Sequence, residues 1–259
     1  MTQGKTTHDY IVVVAGSAGC TVDHRLTEQE DTSVFLFEAG KPDDRDAIHT
    51  TIRTGVLFKT DVVWDYETVP QSELNDRELY HPRGKMLGGS SSNNAMIYIR
   101  GAPEDYDRWA DRGNSGWEAD EFMQYFEKAE EYESGTSDVY GQNGQLHVAD
   151  LADTHAASKA YSDAATETGL QPTDNFNDGH QEGAGLYHVT QKDGKRCSTA
   201  KAYITPVLDR ENLTVETEAH VTQIRFDGDR AVGVTYEQAG TQVDADASAE
   251  VLVCGGAIN

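Results

Sequence analysis

An α/β fold built on a parallel sheet is what this sequence predicts, and three observations carry the prediction. Residues 10–15, YIVVVA, form a β-branched run that flows into a Gly/Ser/Ala turn. CTVDHRLTEQ (20–29) then reads as a short helix, and TSVFLFEAG (32–40) as a second apolar strand ending at Glu38. Strand, helix and strand fall within about 30 residues, the length of a parallel pair joined by a crossover helix.

The remaining elements follow in order. Residues 41–82 are polar and irregular and hold VVWDYETVPQ; residues 83–101, RGKMLGGSSSNNAMIYIRG, read as a loop entering a helix. PEDYDRWADRG and EADEFMQYFEKAEEYE are two helices, the second placing Phe122, Tyr125, Phe126 and Ala129 at helical spacing. HAASKAYSDAATETG is a further helix closed by Gly169. From about residue 183 the period changes to strands, with a hairpin at Asp193-Gly194. A β-meander turns at Asp227-Gly228-Asp229, and VLVCGG is a last apolar strand entering a Gly-Gly turn.

Charge is the strongest compositional signal, with 45 acidic against 21 basic residues and a net −24 over 259 residues. Such a field repels phosphate backbones and anionic lipid, which argues against nucleic acid and membrane surfaces as partners. The acids are dispersed, as in proteins of salt-loaded cytoplasm, where screening shortens to about 3 Å near 1 M salt. No apolar run approaches the roughly 20 residues of a membrane span, and MTQGKTTHDY is not a secretory signal. A cytoplasmic location is therefore expected. Cys20, Cys197 and Cys254 lie far apart with no C-x-x-C pair, which favours reduced thiols over a disulfide frame or a metal site. Cys20 and Cys254 are expected to act as small buried apolar residues.

DYIVVVAGSAGC (9–20) resembles the dinucleotide turn G-x-G-x-x-G, except that Val14 occupies the first glycine position and only Gly16 and Gly19 remain. A helix starting near Ser17 offers free N–H groups and its positive dipole end to a diphosphate. Glu38, 22 residues after Gly16, stands where a ribose-binding carboxylate is expected. In GKMLGGSSSNNAM, adjacent glycines allow close backbone approach and serines supply hydroxyls, yet G-x-x-x-x-G-K-[ST] is missing, so it is no P-loop. DNFNDG (174–179) is a poor calcium loop, with Phe176 at a ligand position. NLT at 212 falls in an expected strand and is read as chance.

Taken together, FLFEAG, WDYETVPQ, RGKMLGGSSSNNAMIYIRG, DYDRWA, GNSGW, QEGAGLYHVTQKDGKRCSTAKAYI, NLTVETEAHVT and VLVCGGAIN follow one another as in the glucose-methanol-choline (GMC) oxidoreductases. Across its whole length the chain resembles the choline and alcohol dehydrogenase branch of that family. The resemblance implies a three-layer, Rossmann-like FAD-binding fold with a parallel sheet plus β-meander, followed by the opening strands of an α+β substrate domain. It places the FAD-binding domain at 1–152 and 204–259 and the start of the substrate domain at 153–203. It further implies oxidation of a small-molecule alcohol by hydride transfer to flavin N5.

Carried over by position, the resemblance sets Gly16, Ser17, Ala18 and Gly19 on the FAD diphosphate and Glu38 on the adenosine ribose. Met86, Gly88, Gly89 and Ser90, with Asn94, Ala95, Met96 and Ile97, would run along the diphosphate and isoalloxazine. Val221 matches the position whose backbone meets the adenine, and Ala257 the Gly-Ala step near the nucleotide. Asn93 stands where some oxidases carry the histidine that bonds FAD, so the flavin is expected to be non-covalent. Asp23 and His24 replace Ala-Asn, and a carboxylate near the diphosphate would oppose it. Val14 is expected to weaken the cofactor, and glycine there to tighten it. The family's catalytic histidine pair has no counterpart in this chain, so no catalytic residue is assigned, and no metal site. His81, His147 and His188 are read as surface or strand residues. The expectation is an N-terminal half, inactive alone; the alternative is a truncated or frameshifted remnant that binds FAD weakly or not at all.

Overall fold

The computed structural model describes residues 6–135 and 138–259. They form two compact units, one running to Asn94 and resuming at Ser198–Asn259, the other spanning Ala95–Cys197.

The first unit is built on a six-stranded sheet in the order Leu213–Glu216, Val34–Phe37, Thr6–Val13, Thr241–Val253, Arg230–Gln238, Ala219–Asp227. The first four strands are parallel and the last three antiparallel, so Thr241–Val253 belongs to both halves. Its 13 residues make this possible: Thr241 to Asp246 pair with the meander, and Ala245 to Val253 pair with the first strand. Val34–Phe37 is wholly buried, as expected of a parallel strand covered on both faces.

Ring geometry shows that the sheet folds over on itself. Val34–Phe37 and Arg230–Gln238 are three strand spacings apart, about 14 Å in a flat sheet. Yet the Phe37 and Tyr236 rings are 4.7 Å apart, and Phe35 and Tyr236 are 6.4 Å apart. The meander therefore lies over the parallel half, and Ile11, Val13, Phe35 and Phe37 pack with Val234, Tyr236, Ala245 and Ala247 in one core. The helix Ser17–Leu26 turns Gly19, Cys20, Asp23 and His24 inward and supplies the third layer. This is the expected α/β, Rossmann-like arrangement, with the meander continuous with the parallel strands.

The segment 83–101 departs from the expected loop-to-helix. It forms a two-residue strand Arg83–Gly84, a 3₁₀ turn Gly89–Ser92 and a short strand Ile97–Tyr98. Serine side-chain bonds to backbone, one of them to a distant segment, explain the difference. Ser90 Oγ accepts from Gly84 N (3.0 Å), Ser92 Oγ donates to Leu87 O (2.8 Å), and Ser91 Oγ donates to Gly88 O (2.6 Å) while accepting from Thr199 N (2.9 Å). Serine side chains that satisfy loop backbone compete with helix formation.

The second unit carries the three expected helices, Pro103–Asp111, Ala119–Ala129 and Ala156–Glu167, the last followed by Gly169 at φ 107°. On Ala119–Ala129 only Ala119 is buried, with Phe122, Met123 and Phe126 half-buried, whereas Tyr125 is 63% exposed. The hairpin at Asp193-Gly194 joins Gln191–Lys192 to Lys195–Arg196. Arg100 and Glu130 form a buried pair (Nη2 to Oε2 2.5 Å), to which the Tyr98 hydroxyl also donates. His147 and His188 lie buried on strands and His81 is exposed. Asn177 Oδ1 accepts from Arg100 N (2.6 Å), so this part of the DNFNDG loop is occupied by the protein itself. Among the described residues no helix is long and apolar enough to cross a membrane.

Candidate dinucleotide groove

The first strand leaves the sheet at Val13, and the chain must reverse within four residues to start the helix at Ser17. Val14 takes the strain of that reversal, with φ 76° in the region that favours glycine. The position expected to be glycine is thus held in a glycine conformation by a β-branched residue. Gly16 is the N-cap, and no side chain caps the helix, so its first N–H groups stay free. Gly19 permits close packing: a Cβ there would lie 2.1 Å from Val14 O.

The serine-rich loop reaches the same turn. Gly88 N donates to Ala15 O (2.8 Å), and a Cβ on Gly89 would lie 2.8 Å from Gly16 Cα. Both glycines are buried, and backbone approach here leaves no room for a side chain. Met86 is fully buried beneath the loop.

Two cavities open from this junction. One, of about 290 Å³, is lined by Phe37, Glu38, Ala39, Trp64, Tyr66, Ala219, His220 and Val221. The other, of about 530 Å³, is lined by Gly16, Ser17, Ala18, Arg83, Gly89, Ser90 and Ala257 among others. Val14, Val253, Gly255 and Asn259 line both, so the two form one continuous groove along the C-terminal ends of the parallel strands. That edge is where ligands of open α/β sheets bind.

Among the described residues Glu38 is the single carboxylate side chain on the smaller cavity's wall, 2% exposed. Its Oε1 accepts from Gly40 N (2.8 Å), while Oε2 is buried with no partner. Burial pushes the carboxyl up to about 7, against the opposing pull of the Gly40 and Ala15 N–H groups and the Lys85 charge. A buried acceptor facing a cavity is suited to a ligand that brings hydroxyl donors. The flat walls beside it are aromatic: Trp64 and Tyr66 stack at 2° with centroids 6.0 Å apart, and His220 lies 5.8 Å from Trp64.

The larger cavity has the opposite character. It offers free N–H groups at the helix start, Ser90, whose Oγ accepts from Gly84 N and retains its own hydrogen, and Arg83. No carboxylate or imidazole lines it among the described residues. A group with an anionic middle and a hydroxyl-bearing aromatic end fits this pair of cavities; a free metal ion does not. Among the described residues no cluster of His, Cys, Asp or Glu could hold one.

Of the fifteen residues expected at the cofactor, Gly16, Ser17, Ala18, Gly89, Ser90 and Ala257 line the larger cavity, and Glu38 and Val221 the smaller. Gly19, Met86 and Gly88 support the walls from behind, and Asn94 closes the first unit's serine loop. Ala95, Met96 and Ile97 open the second unit, Met96 at φ 61°. Asn93 is 5% exposed. Sequence reasoning missed Arg83, Trp64 and His220, although RGK and WDY lie within the quoted motifs.

Asp23 sits elsewhere than expected. It is the seventh residue of its helix, about 9 Å of rise from the first. It is 0% exposed, and neither carboxylate oxygen has a hydrogen-bond partner. Burial pushes it up to about 7, opposed by the Arg210 charge. Cys20 is also buried, its thiol donating to Ala15 O (3.2 Å) and raised to about 12 by burial; Cys254 is half-buried.

The family described as GMC oxidoreductase matches residues 8–259. An alcohol dehydrogenase [acceptor] of Pseudomonas putida is 43% identical over 97% of this chain and 46% of its own length. The mitochondrial choline dehydrogenase of Mus musculus is 41% identical over 99% of this chain and 44% of its own. Among solved structures, an FAD-dependent oxidoreductase from Chaetomium thermophilum superposes with a TM-score of 0.88 at 26% identity, covering 95% of this chain and 45% of that one. The chain spans about half the length of the curated relatives it matches.

Proposed function

This chain belongs to the GMC oxidoreductase family, and from that premise we propose that it is the FAD-binding portion of an alcohol- or choline-type dehydrogenase, holding the flavin without a covalent bond. The single observation that carries the reading is the groove at the first turn, with an unpartnered buried carboxylate oxygen in one cavity and free helix N–H groups in the next. Flavin binding is in keeping with the family and with the FAD-dependent oxidoreductase that shares the fold.

Glu38 accepts the ribose hydroxyls on Oε2, and its buried charge disfavours a nucleotide bearing a 2′-phosphate. Trp64, Tyr66 and His220 flank the adenine, with the Val221 backbone at its edge. Gly16, Ser17 and Ala18 direct N–H groups to the diphosphate, and Gly89 and Ser90 let the backbone approach it closely. Bound FAD supplies the hydride acceptor for oxidation of an alcohol carbon. Asn93 has no nucleophilic nitrogen to bond a flavin, which underlies the non-covalent assignment.

Among the described residues no carboxylate or imidazole side chain lines the larger cavity to take a proton from an alcohol, and general-base catalysis is worth about 10²–10⁴-fold. We therefore propose that the 259-residue polypeptide by itself turns over neither choline nor simple alcohols. The acid-rich composition supports a protein of salt-loaded cytoplasm, with no role in nucleic-acid binding. Absorption of the protein purified in molar salt, with a dye-linked assay on the same sample, tests both statements. The expected result is flavin bands without turnover. Turnover with choline would refute the second statement, and a colourless protein that takes up no FAD would refute the first.

A further inference from the structure

We propose that Arg83 is the cation that binds the dinucleotide diphosphate, held ready for it by His81 and Pro82; this rests on the FAD reading above. Arg83 is the only charged side chain that lines the larger cavity among the described residues. Its guanidinium is fixed at two points, Nη1 donating to Pro82 O (2.8 Å) and Nη2 to His81 Nε2 (2.7 Å). Neither a carbonyl nor an imidazole carries negative charge, so the positive charge is oriented but not neutralised.

The chain has 45 acids to 21 lysines and arginines, and several of those cations are neutralised by carboxylates. Lys41 and Arg45 both pair with Asp61, Lys59 pairs with Glu67, and Lys201 lies 3.5 Å from Asp43. Among the described residues Arg83 has no carboxylate partner, and it faces the free end of the Ser17–Leu26 helix across the same cavity. A guanidinium presents its donors as a fork that matches two phosphate oxygens. The nearby cation, Lys85, is engaged differently, with Nζ 4.1 Å over the Trp64 ring. Charge thus sorts the groove: a lone anion, Glu38, at the hydroxyl end and a lone cation, Arg83, at the phosphate end. On a chain of net −24, an anionic ligand meets general repulsion, and a local cation decides where its charge settles.

Calorimetric titration with FAD, ADP and adenosine of the native chain, Arg83→Gln and Arg83→Lys tests the assignment. Arg83→Gln is expected to weaken FAD and ADP by about ten- to a hundredfold, as for loss of a charged hydrogen bond, and to leave adenosine unchanged. Arg83→Lys, which keeps the charge and loses the fork, is expected to fall between. Unaltered adenosine binding also reports that the variant is folded. Equal affinity of Arg83→Gln and the native chain for ADP would overturn the assignment, as would a matching loss for adenosine. A native chain that binds adenosine but neither ADP nor FAD would overturn the cofactor reading itself.

Discussion

Replacing Val14 by glycine should stabilise the chain more than it tightens the cofactor. The strand ending at Val13 and the helix starting at Ser17 set the Val14 backbone at φ 76°, so the strain belongs to the fold itself. A left-handed backbone costs an L-residue about 1–2 kcal/mol, and branching at Cβ adds to it. Glycine removes that strain but returns about 0.4–1 kcal/mol through the greater freedom of the unfolded chain. The net is about 1 kcal/mol, or roughly 2–4 °C in melting temperature for a chain of this size. Strain common to the free and bound states cancels from affinity. What remains for FAD is crowding by the valine methyls, which line both cavities. Thermal denaturation of Val14→Gly and Val14→Ala separates the two effects. Alanine keeps the unfavourable φ and loses the methyls, so it should bind FAD like the glycine variant while melting below it. A glycine variant that melts at or below the native temperature would refute the strain argument.

Three further outcomes follow from the same groups. Asp23→Ala should raise stability at pH 8 and change it little at pH 4. The folded chain keeps Asp23 protonated up to about pH 7, whereas the unfolded chain releases that proton near 3.8, so stability falls as pH rises between those values and is flat above. The gain has a ceiling of about 4 kcal/mol, and urea denaturation at the two pH values that shows equal gains would contradict it. FAD affinity should rise with pH through about 7, because ribose hydroxyls donate more strongly to the ionised form of Glu38; Glu38→Gln should bind more weakly with a flat profile, and a retained slope would assign the effect to another group. Raising KCl from about 0.1 to about 1 M should raise the melting temperature, since screening of the net −24 outweighs the loss of exposed pairs such as Lys41–Asp61; a constant or falling value would count against a salt-adapted chain.

Much of the groove is legible in the sequence because its elements are local. The β-branched run, the Gly16-Ser17-Ala18-Gly19 turn and the strand ending at Glu38 each follow from neighbouring residues, as do the three later helices. What the sequence hid depends on distant partners. The Gly89–Ser92 turn is tied down by Ser91 reaching Thr199, a partner that local propensity cannot register. The folding of the meander over the parallel strands depends on Phe37 meeting Tyr236 nearly 200 residues later. Asp23 looks like an ordinary helical acid until the helix is rotated into place with that side chain inward. Arg83 is one more basic residue in sequence; only in the fold is it the unpaired cation of a cavity.

The central claim is that the groove recognises the adenosine end of FAD as well as its phosphates. Fluorescence titration of the purified chain with FAD and with FMN, which lacks that end, tests it most directly. Saturable quenching by the protein is expected with FAD, and binding of FMN at least about tenfold weaker, given the hydrogen bonds to the Glu38 carboxylate that FMN cannot make. Equal affinity for the two flavins would contradict the assignment of Glu38, Trp64 and Val221 to the adenosine.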